Sequence, residues 1–253
     1  MLKSVLVVSA HPDDETMLLG GTIALLTGMG VPVHLLCATR GEGGEQGEPP
    51  VSSRAELGTY REREMRCAAA ALGIATVEVL GYVDPLVGPD DELFPFEADF
   101  PTLTAQIRSA IRRVEADLVL SHGSDGEYGH PAHQLMHRAT LAAVQASARS
   151  PLLYTFAACV PGIDDHIWNE SEMAHLALDV RPWLDVKEAA ALCHKSQNAL
   201  FKRRRNLETV REALRTTESF HRYLPALNEG YPQDPFADLM RAAGAWMPAL
   251  PGV

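Results

Sequence analysis

Ser4-Val5-Leu6-Val7-Val8-Ser9-Ala10-His11-Pro12-Asp13-Asp14-Glu15 sets an apolar, β-branched run directly against an imidazole and three carboxylates. The run reads as a buried parallel strand. The residues from about Glu15 through Gly20-Gly21-Thr22-Ile23-Ala24-Leu25-Leu26 read as the helix it feeds. Open α/β sheets gather their strand-to-helix loops above the carboxyl ends of the strands. His11, Asp13 and Asp14 are therefore expected in a crevice at that edge.

Working outward, Gly28-Met29-Gly30 ends the helix and Val31–Ala38 is a second strand, giving a right-handed parallel unit. Gly41–Pro50 holds four glycines and two prolines, a composition expected to form an exposed, mobile loop bordering the crevice. Arg61–Leu72 is predicted as a helix stopped at Gly73, Thr76–Leu80 as a third strand and Pro101–Val114 as an amphipathic helix. Asp117–Ser121 is a fourth strand and Pro151–Val160 a fifth. Lys187–Leu214 is predicted as a long amphipathic helix or a bent pair, carrying the basic cluster Lys202-Arg203-Arg204-Arg205, a solvated face or a contact in a homo-oligomer. No repeat or linker divides the chain, so a single α/β domain over 1–253 is expected.

The fourth strand leads into Tyr128-Gly129-His130-Pro131-Ala132-His133, which places two more imidazoles on a tight loop. Two histidines and an aspartate suit a catalytic metal, which keeps three protein ligands and an open position. Asp13 and Asp14 taken alone would more often cap the following helix. Joined to His11 and to the downstream histidines, they read as one ligand and one base. His133 and His137 share a helical face and form a competing metal pair, but His137 lies among Leu135, Met136 and Ala139, as a packed helix histidine does. His122, at a strand end near the same rim, could touch substrate, although nothing in the sequence requires it.

These two blocks resemble the PIG-L or LmbE-like zinc-dependent N-acetyl-sugar deacetylases. Ala10–Glu15 matches the family's first block without change. The second block is usually His-Pro-Asp-His, so Ala132 replaces its acidic residue while His130 and His133 remain. The resemblance covers about the first 140 residues and grows weaker from about 161. It implies a Rossmann-like open, mostly parallel sheet flanked by helices. It also implies that His11, Asp14 and His133 bind Zn2+, with other divalent ions such as Fe2+ also accepted. Asp13 would be the general base, with His130 and Tyr128 assisting the developing charge, and Arg61 and Asp84 would contact substrate. His194 and Glu218-Ser219-Phe220 resemble later family segments; His194 is either a supporting group at the site or a packing residue.

The implied reaction is removal of the N-acetyl group from an N-acetylglucosamine-containing small molecule, such as a thiol-cofactor precursor. An amidase on a thiol-cofactor conjugate and a non-catalytic sugar binder are the rivals. A nucleotide binder is disfavoured, because the Gly-x-Gly-x-x-Gly spacing is missing and two aspartates would repel a pyrophosphate. The Gly41–Pro50 loop and the segment from Asn228 to Val253 are expected to select substrate.

Composition sets outer bounds. At 253 residues and 46% hydrophobic, the chain is long enough to bury a large core, and its net charge of -11 opposes binding to nucleic acid. No apolar stretch reaches a membrane span and the first strand follows Met1 closely, so a cytoplasmic enzyme is expected. Cys37, Cys67, Cys159 and Cys193 show no paired spacing and are expected as reduced, buried small hydrophobes.

Overall fold

The computed structural model describes residues 2–163, 167–203, 206–227 and 230–248. Its elements run β1 (Val5–Ser9), α1 (Asp14–Gly28), β2 (Val33–Thr39), α2 (Leu57–Ala71), β3 (Thr76–Tyr82), α3 (Phe100–Arg113), β4 (Leu118–Ser121), α4 (Gly126–Gly129), α5 (Pro131–Gln145), β5 (Leu152–Phe156), β6 (Ala158–Cys159), β7 (Asn169–Met173), β8 (Leu176–Asp179), α6 (Leu184–Ala191), α7 (Asn198–Arg203), α8 (Val210–Ala213), β9 (Thr217–Leu224) and α9 (Pro235–Ala242). Seven strands form one sheet in the order β3-β2-β1-β4-β5-β9-β8. The first five are parallel, and β9 and β8 pair antiparallel at the far edge.

Every residue of β1 is buried, as a strand covered on both faces requires. Side chains alternate across a strand. Val5 and Val7 accordingly pack under α1, α2 and α6, whereas Leu6 and Val8 pack under α3 and α5. On α3, Leu103, Ile107 and Ile111 form the buried stripe that the sequence spacing predicts. The chain winds outward from β1 in both directions, so the strand order reverses between β1 and β4. Above the carboxyl ends of these two strands the following loops diverge and leave a crevice.

Four expectations are corrected. Pro151–Val160 is not one strand: at Ala157 the backbone takes φ 55, and the chain leaves the large sheet to form β6. Lys187–Leu214 is neither one helix nor a bent pair but parts of α6, α7 and α8, with His194–Gln197 between the first two; Arg204 and Arg205 lie outside the described residues. The loop from Gly41 is packed through Gly47 and exposed only over Glu48–Pro50. A Cβ at Gly43 would stand 1.8 Å from the Pro85 carbonyl oxygen, so only glycine permits this approach. Arg54 and Gln197 donate to carbonyls at Glu42, Gly44 and Glu45 and hold the loop down. Finally, Cys67 and Cys193 form a disulfide, because α2 and α6 pack side by side and bring together residues 126 apart in sequence. Cys37 and Cys159 are free. No helix among the described residues is long and apolar enough to cross a membrane.

Candidate metal centre

The crevice gathers the loop after β1 and the segment from β4 to α5. Asp13 precedes α1 with φ 116, a strained value for a residue with a side chain, and makes no side-chain cap bond. This turn lets adjacent carboxylates diverge. Asp14 Oδ2 accepts the Ala10 and His11 N–H groups at 3.1 and 2.8 Å, while Oδ1 lies 3.4 Å from His133 Nε2. His11 Nδ1 is 3.2 Å from His133 Nε2 and 3.8 Å from Asp14 Oδ2. Ligands about 2.1 Å from a tetrahedral zinc stand about 3.4 Å apart, a separation these pairs approach, His11 and His133 meeting different oxygens of Asp14. Burial alone would raise the Asp14 pKa, but His133, His122 and His11 hold it well below the usual carboxylate range. His130 with His11 and His133, and His122 with Asp14 and His133, form overlapping groups with donor atoms within 4.8 Å.

The outer nitrogens of both ligand-like histidines face carboxylates. His133 Nδ1 is 2.5 Å from Glu127 Oε2. His11 Nε2 lies 3.2 Å from Asp84 Oδ1, an ion-pair approach out of hydrogen-bond alignment. Such carboxylates fix the histidine tautomer that offers a lone pair inward. Glu127 was not among the residues singled out from sequence, although it lies in the turn Gly126-Glu127-Tyr128-Gly129, six residues before His133. It is 2% exposed and adopts φ 61. Its Oε2 also meets His122 Nδ1 at 3.0 Å, and its Oε1 accepts from the Gly123 N–H and Asn169 Nδ2 at 3.2 Å each. His122 Nε2 lies 3.1 Å from the Ala10 nitrogen and 3.3 Å from Asp14 Oδ2, so Glu127 is linked through it to the first sequence block as well. Burial would lower the His122 pKa, but Glu127 and Asp14 push it up to about 9.

Asp13 stands beside the cluster. Its carboxylate lies 3.2 Å from Arg61 Nη2, and its N–H donates to Glu15 Oε2 at 3.1 Å. Burial raises its pKa to about 6 against the opposing pull of Arg61, a range suited to taking a proton near neutrality. Arg61 also donates to the Gly41 and Pro12 carbonyls at 2.9 and 2.7 Å. These bonds fix the guanidinium, which also lines the crevice where the expected substrate contact would fall. His194 lies beneath, 3.2 Å from Glu15 Oε1, and so supports Asp13 through Glu15. His130 Nδ1 accepts the Ala132 N–H at 3.2 Å, which in the neutral ring leaves the proton on Nε2. Its ring stacks on His133 at 4.4 Å, and burial together with His133 lowers its pKa to about 2. Tyr128 is on the rim, 39% exposed, edge-on to His130 and His133. Ala132 faces the core beneath α5, and His137 binds the His122 carbonyl at 2.9 Å, away from the cluster.

Two adjoining lobes open above these groups, of about 140 and 130 Å³. The first is lined by His11, Asp13, Arg61, Asp84, Tyr128 and His130 among others.

A profile of the PIG-L family, described as GlcNAc-PI de-N-acetylase, matches residues 6–144. A 1D-myo-inositol 2-acetamido-2-deoxy-alpha-D-glucopyranoside deacetylase from Acidothermus cellulolyticus is 33% identical over 238 residues, 79% of this chain and 81% of that protein. Further relatives of the same name are matched over 53 to 57% of their own length. The crystal structure of a 4-carboxy-2-hydroxymuconate hydratase from Pseudomonas putida KT2440 superimposes with TM-score 0.62 at 26% identity, over 91% of this chain and 100% of that one. The fold is also that of an N,N'-diacetylchitobiose deacetylase from Pyrococcus horikoshii, with TM-score 0.63 at 22% identity over 94% of this chain and 89% of that one. With a family match over more than half its length and this relative, the chain belongs to the PIG-L family.

Proposed function

We propose that the protein is a zinc-dependent hydrolase that removes the N-acetyl group of an N-acetylglucosamine-containing small molecule, with a glucosaminyl-inositol conjugate as the first substrate to try. The observation that carries this reading is the spacing of His11 Nδ1, His133 Nε2 and the Asp14 carboxylate, 3.2 to 3.8 Å, with Asp13 beside them. The donor set fits zinc, and both histidines are backed by carboxylates. His122 is the weaker ligand candidate, since both its nitrogens already have partners.

Bound there, zinc would polarise the acetyl carbonyl and acidify a water toward a pKa of about 7. Asp13 accepts the proton of the attacking water, with Arg61 holding the carboxylate in place. His130 through Nε2–H, together with Tyr128, donates to the oxygen that gains charge as water adds. Asp13 then returns its proton to the amine as the C–N bond breaks, leaving acetate and a free amino sugar. Asp84 orients His11 and shares the lobe that receives the sugar hydroxyls.

Activated water can also add to a carbon–carbon double bond, and the Pseudomonas putida relative in fold is a hydratase by name. The deacetylase reading is preferred because the amino-sugar relative is matched at higher identity. The test is acetate release from N-acetylglucosamine conjugates, with metal content measured before and after chelation. Release that disappears with the metal and returns with added zinc supports the reading. Stoichiometric metal without release from any conjugate overturns it.

A further inference from the structure

The second lobe is the more apolar of the two, although the first also carries Pro85, Leu86, Val87, Leu93 and Phe94. It shares Asp13, Asp14, Tyr128 and Leu200 with the first lobe and reaches His133 and Arg215, and the rest of its described lining is apolar: Met17, Leu18, Ile167, Phe201 and Ala213. The sequence explains this change. Met17 and Leu18 follow Asp13 and Asp14 by four residues on α1, one turn further along the same face. Met17 and Phe201 also pack against a small apolar cluster of Ala191, Val210 and Leu214, so the floor of the lobe is built of core-like residues. At its far end the Arg215 guanidinium lies 4.0 Å from the centre of the Trp168 ring and donates to the Ile167 carbonyl at 3.0 Å.

We propose that this lobe is an acyl subsite and that the enzyme hydrolyses N-acyl amino sugars with chains longer than acetyl. The inference rests on the amide-hydrolase reading above and deepens it. The lobes meet at the carboxylates of the reacting centre, so the bond that crosses from one to the other is the scissile amide. Groups that suit hydroxyls lie on one side, and the substituent on the far side is the one bonded to the carbonyl carbon. An acetyl methyl would leave Met17, Leu18, Phe201 and Ala213 uncovered along the lobe. The chemistry is unchanged by chain length: water supplies OH to the carbonyl carbon, the C–N bond breaks, and the amine takes the proton.

The test uses the zinc-loaded full chain and methyl glycosides of glucosamine carrying N-acetyl, N-butyryl or N-hexanoyl groups, with free amine as the readout. At full burial, kcat/KM rises about fourfold per methylene, so at least about tenfold is expected from acetyl to hexanoyl. Phe201→Ala should flatten this ratio and Ala213→Phe should bring it below one. Because the ratio is internal to each variant, partial unfolding cancels. A ratio of one or less in the unaltered protein overturns the acyl subsite. Butyl and hexyl glycosides of N-acetylglucosamine form the second series. A gain there, with a flat acyl series, also overturns it, by assigning the lobe to the aglycone. No amine from any compound overturns the hydrolase reading itself.

Discussion

Glu127→Gln tests whether metal binding depends on a residue outside the candidate ligand set. In the native protein Oε2 accepts from two imidazole N–H groups and Oε1 from the Gly123 N–H and Asn169 Nδ2. A glutamine has one acceptor oxygen and one donor amide. With the amide toward the imidazoles, His133 must move its proton to Nε2 and loses the lone pair a metal needs. With the amide toward Gly123 and Asn169, two donors face donors in a site with no exposure, at a cost of about 1–3 kcal/mol. Either way zinc affinity should fall about 10- to 100-fold, the usual effect of losing such a partner. Competition against a chelator of known affinity gives the ratio directly, on protein whose folding is checked by circular dichroism. A zinc dissociation constant within twofold of the unaltered protein would refute the argument that Glu127 sets the His133 tautomer.

Asp13→Ala should keep zinc and lose turnover by at least about 100-fold, the usual worth of a general base, whereas His11→Ala should lose both; equal zinc loss in the two by metal analysis would contradict the division of roles. Thiol titration of the unfolded, unreduced chain should find Cys37 and Cys159 alone, and reduction should lower unfolding free energy by about 2–4 kcal/mol in urea titrations. His175 is 8% exposed, and burial with His221 and Arg222 nearby lowers its pKa from 6.5 to about 4. A depressed histidine favours the folded state while neutral, so this stability is present above pH 6.5 and is lost as pH falls through about 4. His175→Gln should therefore show a shallower decline in urea stability than the unaltered protein over that range, by on the order of 2 kcal/mol after solvent screening.

The strand-to-helix units around β1 were legible because burial on both faces demands an unbroken apolar run, and Val5–Val8 can serve little else. The metal-ligand candidates were legible because their spacing on two loops has few structural uses. The antiparallel edge was not. β9 reads Thr-Glu-Ser-Phe-His-Arg-Tyr-Leu, with Glu218 spent on the buried Lys187 Nζ at 2.7 Å, so polar pairing replaces the apolar pattern that would announce a strand. Glu127 was missed because an acid between glycines looks like any turn, and its role depends on Asn169 and His122 arriving from elsewhere. The disulfide was missed because it depends on helix packing and not on local spacing.

The pair Asp13-Asp14 shows why an isolated motif could not decide between cap and catalyst. A helix cap needs an extended backbone and a side-chain bond to the first turn. Asp13 has neither: its φ of 116 turns its carboxylate to Arg61, while Asp14 turns back to receive the N–H groups of Ala10 and His11. That backbone costs about 1–3 kcal/mol, and its partners are what hold it. Arg61 binds the Pro12 carbonyl as well as Asp13, and Glu15 takes the Asp13 N–H. The strain separates two adjacent carboxylates into one beside His133 and one beside the open lobe. A capping role would have spent both on the helix.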